Sequence, residues 1–285
     1  MTKTLVDQQV TIKRSRISPN NTWVRTYSYI DNSVIDENVF IGFKCKLNHT
    51  IIGKRAQIAN SCTMLGQKDN MITISDDVWL GAAVTVSPGV HIGEGAVIGA
   101  GTHILNDVSP YSIMVGNPGE CLKKRKLVSD EKLSNSLFLK KIRSLFQRYP
   151  PKFENGFANY TGSPIPNSLE VGEGSVISGR KSSDFPNGGF QFGKQVIIKK
   201  DCVLEGAGGL SIGGKTIIGC NTIIITTSHD YKFLSLPQTN EKVVINDNVR
   251  IGKGSIILPG VHLPEKMYIP DGSIVFKNLT IKKKG

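Results

Sequence analysis

The chain has 285 residues, a formal net charge of +12 and a hydrophobic fraction of 39%, which is enough for one or two buried cores. Its five cysteines show neither disulfide nor metal-site spacing, and no nucleic-acid-binding motif accompanies the basic charge, so we expect reduced cysteines and no nucleic-acid partner. No apolar run is long enough to span a membrane, and the first residues lack the apolar segment of a signal peptide. We therefore expect a cytoplasmic protein without a transmembrane segment.

The beginning of the chain is weakly patterned. Residues 1–28 show no clear period, as is common for the end coils of solenoids. After them, aliphatic residues recur every six positions, with two exceptions. A step of five separates Leu47 from Ile52, and a step of ten separates Met64 from Ile74. The longer step predicts a loop between those two residues.

The next stretch is regular. Aliphatic residues stand six apart at Ile74, Leu80, Val86, Ile92, Ile98 and Ile104. A second row, four positions after each, holds Val78, Val84, Val90, Ala96, Thr102 and Val108. A period of six matches neither a helix nor an ordinary strand. It predicts a solenoid in which three short strands close one coil, and each corner buries one aliphatic side chain against the next coil.

The pattern changes after residue 119 and later returns. Residues 120–150 lose the glycines and the period of six, and the apolar spacing up to Pro150 predicts a basic helical linker over 120–160. The six-residue step reappears at Ile245, Ile251, Ile257, Leu263, Ile269 and Val275. Placing Ile245 on Ile74 superposes the two regular runs, so the chain is predicted to hold one solenoid over 1–119 and a second over 161–285.

The repeat, followed by the run Ser112-Ile-Met-Val-Gly-Asn-Pro-Gly119, resembles the hexapeptide-repeat acyltransferases. That resemblance implies an all-β fold of two tandem left-handed parallel β-helices, joined here by the helical linker. It also implies a homotrimer and the transfer of an acetyl group from acetyl-CoA without a metal. The handedness comes from the resemblance alone, because the spacing is the same for either hand.

Acyl transfer to a hydroxyl needs a general base, and histidine is the usual one. His229 is the first candidate, because it begins the longest excursion of the second solenoid, the twenty-one residues from Ile224 to Ile245. Its Ser-His-Asp-Tyr setting resembles the sugar O-acetyltransferase branch of the family, although Arg250 replaces that branch's usual tryptophan. His49, which follows Leu47, is the second candidate and resembles the histidine of the branches that acylate nucleotide sugars.

The remaining candidates support or surround the base. We expect Glu205 and Asp230 to bind the acceptor or to fix the tautomer of His229. We interpret the other three histidines as solvated turn residues: His91, His103 and His262. The resemblance, together with the basic tail, suggests coenzyme-binding positions at Gly252, Ser255, Lys282, Lys283, Gly116, Asn117 and Pro118.

The leading hypothesis is an acetyl-CoA-dependent O-acetyltransferase acting on a sugar hydroxyl, in the synthesis of bacterial capsule or lipopolysaccharide, where the acceptor can be acidic. One alternative is an N-acetyltransferase that uses His49 on a nucleotide-linked amino sugar, or an antibiotic acetyltransferase. A metal enzyme like the γ-type carbonic anhydrases is disfavoured, because its zinc needs three converging histidines and the nearest pair here, His91 and His103, is twelve residues apart. A non-catalytic β-helix scaffold is the third class, and the long excursion at His229 argues against it.

Overall fold

The computed structural model describes residues 3–128, 139–140, 143–144, 150–183 and 185–283. The chain divides into two compact units. The first comprises Met1–Ser144 together with Asp230–Pro237, and the second comprises Leu145–His229 and Gln238–Gly285. Each unit is a parallel β-solenoid whose successive coils stack in three sheets. The prediction of an all-β fold with two tandem solenoids is therefore confirmed.

In the first unit the chain visits sheets A, B and C in turn. Sheet A holds β1 Leu5–Val6, β4 Trp23–Val24, β7 Phe40–Ile41, β10 Gln57–Ile58, β13 Trp79–Leu80, β16 Val97–Ile98, β18 Ser112–Val115 and the antiparallel β19 Glu120–Lys124. Sheet B holds β2 Thr11–Lys13, β5 Tyr29–Asp31, β8 Lys46–Asn48, β11 Thr63–Leu65, β14 Thr85–Val86 and β17 His103–Ile104. Sheet C holds β3 Arg16–Ile17, β6 Val34–Ile35, β9 Thr50–Ile52, β12 Ile72–Ile74 and β15 His91–Ile92.

The second unit repeats this order with sheets D, E and F. Sheet D holds β20 Lys152–Glu154, β21 Phe157–Tyr160, β23 Val176–Ser178, β26 Val203–Glu205, β29 Ile223–Ile224, β34 Ile256–Ile257, β37 Ser273–Val275 and β38 Ile281–Lys283. Sheet E holds β24 Phe190–Phe192, β27 Leu210–Ile212, β32 Val243–Ile245 and β35 His262–Leu263. Sheet F holds β22 Leu169–Val171, β25 Val196–Ile198, β28 Ile217–Ile218, β33 Arg250–Ile251 and β36 Tyr268–Ile269. A separate hairpin pairs β30 Thr227–His229 with β31 Gln238–Asn240.

The aliphatic rows form the two cores. All twelve residues of the two rows between Ile74 and Val108 are at least 97% buried, and the second solenoid's row from Ile245 to Val275 is buried to the same degree. Burying these side chains stabilises the fold by about 25 cal/mol per square ångström of apolar surface removed from water. The buried cysteines Cys45, Cys62 and Cys202 fill small positions in these cores.

The end regions of the predicted helical linker are strands. Glu120–Lys124 pair antiparallel with β18, and Lys152–Glu154 form a hairpin with β21. Of the linker between them, residues 139–140 and 143–144 are helical, and most of the expected helix lies outside the described residues. No helix in the described part of the chain is long and apolar enough to cross a membrane.

Candidate active site

His229 lies at the end of a hairpin that interrupts the second solenoid. The chain leaves sheet D after β29, forms β30 and β31, and returns to sheet E at β32. The two hairpin strands are antiparallel, with His229 opposite Gln238 and Thr227 opposite Asn240. His229 is half-buried. A histidine on a hydrogen-bonded strand outside the regular coils is held in position by the backbone of the hairpin.

The base of this hairpin is fastened by Glu205. One carboxylate oxygen accepts a hydrogen bond from the backbone N–H of Ala207 at 2.6 Å. The other accepts from the N–H and the hydroxyl of Thr226, both at 3.0 Å, and from the hydroxyl of Thr227 at 3.2 Å. The Thr226 hydroxyl also accepts from the N–H of Gly208 at 2.8 Å. Glu205 therefore joins the coil at β26 to the start of β30, two residues before His229.

Burial raises the pKa of the Glu205 carboxyl above its ordinary value, because a charge is poorly solvated there. The hydrogen bonds from Thr226, Ala207 and Thr227 act in the opposite direction and lower the pKa. Since its two oxygens accept four hydrogen bonds from these neighbours, Glu205 acts as a structural anchor of the hairpin. The role that the sequence suggests for Glu205, binding the acceptor or fixing the tautomer of His229, stays a prediction.

The residue after the histidine starts a tight turn. The Asp230 carboxylate accepts from the N–H of Lys232 at 3.0 Å, and its own N–H donates to the carbonyl of Pro237 at 2.9 Å. Asp230–Pro237 belong by their contacts to the first unit. The Asp230 carboxylate thus stabilises the turn that follows β30.

Arg125 holds the same turn and was missed by sequence reasoning. Its side chain is buried, and its guanidinium donates to three carbonyl oxygens: Gly95 at 2.5 Å, Tyr231 at 2.9 Å and Phe233 at 2.8 Å. Leu236 packs beside it against Val97 and Ile113. No sequence signal links Arg125 to residues more than a hundred positions away, so only the fold reveals the contact.

His49 occupies a corner between β8 and β9. Its φ is 45°, in the left-handed region, and Arg14 and Asn32 have φ of 43° and 45° at the same corner of earlier coils. This conformation replaces the usual two-residue turn and explains the five-residue step from Leu47 to Ile52. The Nδ1 atom of His49 is buried and has no hydrogen-bond partner among the described residues.

The other three histidines begin strands, so their placement in turns was wrong, whereas His91 and His262 are exposed as expected. Each Nε2 lies near a side chain on the preceding coil: His91 is 2.8 Å from Ser75 Oγ, His103 is 3.3 Å from Ser87 Oγ, and His262 is 3.2 Å from Asn246 Nδ2. These contacts form when residues sixteen positions apart stack on one sheet. They give the three histidines a structural role on the outer face of their sheets.

The expected coenzyme-binding residues have three different settings. Gly252 lies so close to the next coil that an added Cβ would be 2.4 Å from the nitrogen of Asp271, and the buried hydroxyl of Ser255 donates to the carbonyl of Pro270 at 3.1 Å. Gly116, Asn117 and Pro118 are exposed in the turn between β18 and β19. Lys282 is exposed on β38, with its ammonium 5.9 Å from the ring centre of Phe276, and Lys283 ends the same strand. The turn and Lys282 therefore remain exposed positions for a ligand, whereas Gly252 and Ser255 serve the packing of the coils.

In the described part of the chain no group of three histidine, cysteine, aspartate or glutamate side chains is placed to hold a metal ion. The polar groups assembled near the hairpin are those of acid–base and hydrogen-bond chemistry: an imidazole, two carboxyls and threonine hydroxyls.

Fold and repeat together define a hexapeptide-repeat solenoid. Three family models match separate stretches: the GlmU-like C-terminal hexapeptide over residues 2–71, the bacterial transferase hexapeptide (six repeats) over 71–106, and the hexapeptide repeat of succinyl-transferase over 242–275. Both solenoids therefore carry hexapeptide repeats, and these matches confirm the resemblance to the hexapeptide-repeat acyltransferases seen in the sequence.

Known relatives match only part of the chain. A galactoside O-acetyltransferase of Lactococcus lactis subsp. lactis is 33% identical over 114 residues, which is 39% of this chain and 55% of that protein. A Schizosaccharomyces pombe protein, provisionally named an acetyltransferase, is 49% identical over 31% of this chain and 44% of its own length. Among solved structures, the acetyltransferase domain of PglB from Neisseria gonorrhoeae FA1090 is 19% identical, with a TM-score of 0.39, over 42% of this chain and 57% of that one. The chain thus spans about half the length of the curated relatives it matches.

Proposed function

We propose that this protein transfers the acetyl group of acetyl-CoA to a hydroxyl of a sugar, with His229 as the general base. The observation that carries the proposal is the anchored hairpin: Glu205 fixes Thr226 and Thr227, and these residues lead directly to a half-buried histidine. The hexapeptide-repeat fold and the similarity to a galactoside O-acetyltransferase support the reaction type and the acceptor class.

In the proposed reaction His229 removes the proton of the sugar hydroxyl as its oxygen attacks the thioester carbonyl. A backbone N–H stabilises the negative charge that develops on the carbonyl oxygen. Collapse of the tetrahedral intermediate breaks the carbon–sulfur bond, and the imidazolium returns its proton to the leaving thiolate. The products are an acetylated sugar and free coenzyme A, and no covalent enzyme intermediate forms.

We also propose a cellular location, an oligomeric state and a coenzyme-binding site, as expected from the sequence. The protein acts as a cytoplasmic homotrimer in bacterial surface polysaccharide synthesis, and the coenzyme is held by the turn at Gly116–Pro118 and by the tail lysines Lys282 and Lys283. The exposure of Gly116–Pro118 and of Lys282 supports the proposed coenzyme positions. Gly252 and Ser255 line the coenzyme only through their backbone, since the structure uses the absent side chain of one and the hydroxyl of the other for packing.

A second candidate is acylation of an amine on a nucleotide-linked sugar, with His49 as the base. The observation that favours it is the buried Nδ1 atom of His49, which lacks a partner in the described part of the chain. A buried nitrogen without a hydrogen bond costs about 1–3 kcal/mol, so a bound ligand would gain by supplying one.

One assay separates the two candidates. Purified protein is incubated with labelled acetyl-CoA and matched pairs of acceptors that differ only in a hydroxyl or an amine at one position. Mild alkali then removes acetyl esters and leaves acetyl amides intact. We expect an alkali-labile product. An alkali-stable product would support the second candidate, and no transfer to any acceptor would favour the non-catalytic scaffold.

A further inference from the structure

The second solenoid has a gap in sheet E. The chain passes through sheets D, E and F in order, yet β21 of sheet D is followed directly by β22 of sheet F. The intervening residues 161–168 run past the open edge of sheet E without forming a strand. They contain Pro164 and Pro166, which have no N–H to donate to a neighbouring strand. β24 therefore remains the edge strand of sheet E.

This gap leaves a cavity of about 760 Å³ at the edge of β24. On the neighbouring strand β27, the buried residues Leu210 and Ile212 stand opposite Phe190 and Phe192. The rings of Phe190 and Phe192 pack partly against the second core, on the inner side of residues 161–168. The two rings are nearly parallel, with centres 5.5 Å apart, and both are half-buried. The volume lies in the range typical of small-molecule sites, and the rings offer an apolar wall for a flat ligand ring.

The wall of the cavity is fixed in place by a glycine. A Cβ added at Gly206 would lie 2.7 Å from the ring of Phe190, so the ring packs directly on the backbone there. Gly206 is the residue after Glu205, which anchors the base of the His229 hairpin. The ring of Phe190 and the carboxyl group that anchors the hairpin therefore depend on two adjacent residues, Gly206 and Glu205.

The rest of the lining is basic. Arg180, Lys181 and Lys242 border the cavity, and its described lining contains no aspartate or glutamate. Asn187 and Gln191 add amide groups that can donate hydrogen bonds. Lys181 and Lys242 are exposed cations beside an aromatic wall whose described residues include no carboxylate, and this setting favours a ligand that combines an anionic group with a flat ring.

The cavity lies at the same corner of the solenoid as the hairpin. Between sheets D and E lie the described residues 179–183 and 185–189 on one coil, residues 206–209 on the next, and residues 225–242, which include His229, on the coil after that. Adjacent strands of a sheet are about 4.8 Å apart, so two coils separate the excursions by roughly 10 Å at their bases. That distance is within the length of a sugar joined to a phosphate group.

We propose that this cavity binds the phosphorylated ring end of the acceptor, a sugar phosphate or a nucleotide, while the hydroxyl to be acetylated extends towards the hairpin. The assignment to the acceptor rests on the proposed function, whereas the binding of such a compound in the cavity does not. The phosphate contacts the basic side chains, and the ring lies against Phe190 and Phe192.

The test is isothermal titration of the full-length protein with UDP, glucose 1-phosphate and inorganic phosphate, with coenzyme A present at saturation so that its own site is filled. We expect UDP or glucose 1-phosphate to bind at least tenfold more tightly than inorganic phosphate, and the stronger of the two identifies the ring. The double variant Lys181→Gln and Lys242→Gln should weaken binding at least tenfold. The matched control, Lys199→Gln with Lys215→Gln, removes the same charge from exposed positions outside the cavity and should leave binding within twofold.

Two results would overturn the inference. One is the absence of binding by UDP and by glucose 1-phosphate, and the other is equal weakening by the cavity variant and its control. A Phe190→Leu variant adds an independent check, since it should weaken the ring compounds and leave inorganic phosphate unchanged. If the phosphorylated compounds bind as expected but no acceptor is ever acetylated, the cavity stands and the proposed reaction fails, so the two failures are distinguishable.

Discussion

The carboxylate of Glu205 accepts hydrogen bonds from both the backbone N–H and the hydroxyl of Thr226, each at 3.0 Å. Thr226 lies where the chain leaves the second solenoid to form the His229 hairpin. Because the two residues lie on successive coils, the carboxyl group fixes the direction of the departing strand relative to the coil before it. The position of the candidate base therefore depends on an acid of the preceding coil, which hydrogen-bonds the residues at the start of the hairpin.

The raised pKa of Glu205 predicts a pH-dependent stability. In the folded protein the carboxyl keeps its proton at pH values where the unfolded chain, with a pKa of 4.5, has released it. The Glu205 contribution to stability is therefore complete below pH 4.5 and is lost as the pH rises through the raised folded-state pKa, by at most about 1.4 kcal/mol per pH unit. Urea unfolding of the wild type and of Glu205→Gln across this range should show the wild type losing stability relative to the variant as pH increases. A constant or rising difference would contradict the assignment.

Ile98 tests the core of the first solenoid. It is completely buried on β16, so Ile98→Asp places an unpaired carboxylate inside the stacked coils. The cost is several kcal/mol, and we expect little soluble, folded protein. Leu105→Asp is the matched control, because Leu105 is 47% exposed and lies on the same regular run. Near-normal thermal unfolding of Ile98→Asp would show that the stacking register is wrong.

Arg125 tests the turn after the hairpin strand. Arg125→Met keeps most of the side-chain volume and leaves three carbonyl oxygens without their donor, each loss costing about 1–3 kcal/mol if the oxygen stays buried. Amide hydrogen exchange, followed by mass spectrometry on peptides covering 230–237, should accelerate at least about tenfold. Lys126→Met, at a neighbouring exposed position, should leave the exchange rates unchanged. Equal rates in wild type and Arg125→Met would remove Arg125 as the support of this turn.

The proposed homotrimer is tested by mass in solution. Static light scattering at micromolar concentration, coupled to size exclusion, should give three times the 31.0 kDa of one chain. The flat sheet faces of a solenoid are the expected contact surfaces, as the family resemblance implies. A mass of one chain across that concentration range would refute this part of the proposal.

The sequence predicted the cores because their information is local. The six-residue period marks the inward side chains directly, so Ile74, Ile98 and Ile257 are buried as expected. The hairpin was also predictable in position, since an excursion between Ile224 and Ile245 breaks the period. The coil handedness came only from the resemblance and stays a prediction.

What the sequence could not predict depends on contacts between distant residues or on backbone conformation. The contact of Arg125 with Phe233 joins positions 108 apart, and the bonds of Glu205 to Thr226 join successive coils. The left-handed corner at His49 was visible only as a short step, without its cause. The strands at Glu120–Lys124 were read as part of a helix because an edge hairpin lacks the six-residue period.

The central claim is that His229 is the general base. His229→Ala removes proton transfer and leaves coenzyme binding intact, so kcat should fall by about 10² to 10⁴. His49→Ala should change kcat by less than about tenfold. His262→Ala is a surface control that should be silent.

The decisive measurement is therefore the initial rate of acetyl transfer from acetyl-CoA to the preferred sugar, compared for the wild type and these three variants, with coenzyme A affinity measured in parallel. We expect a large loss of rate in His229→Ala at unchanged coenzyme affinity and near-normal rates in His49→Ala and His262→Ala. An active His229→Ala together with an inactive His49→Ala would contradict this expectation and would assign the reaction to the first solenoid.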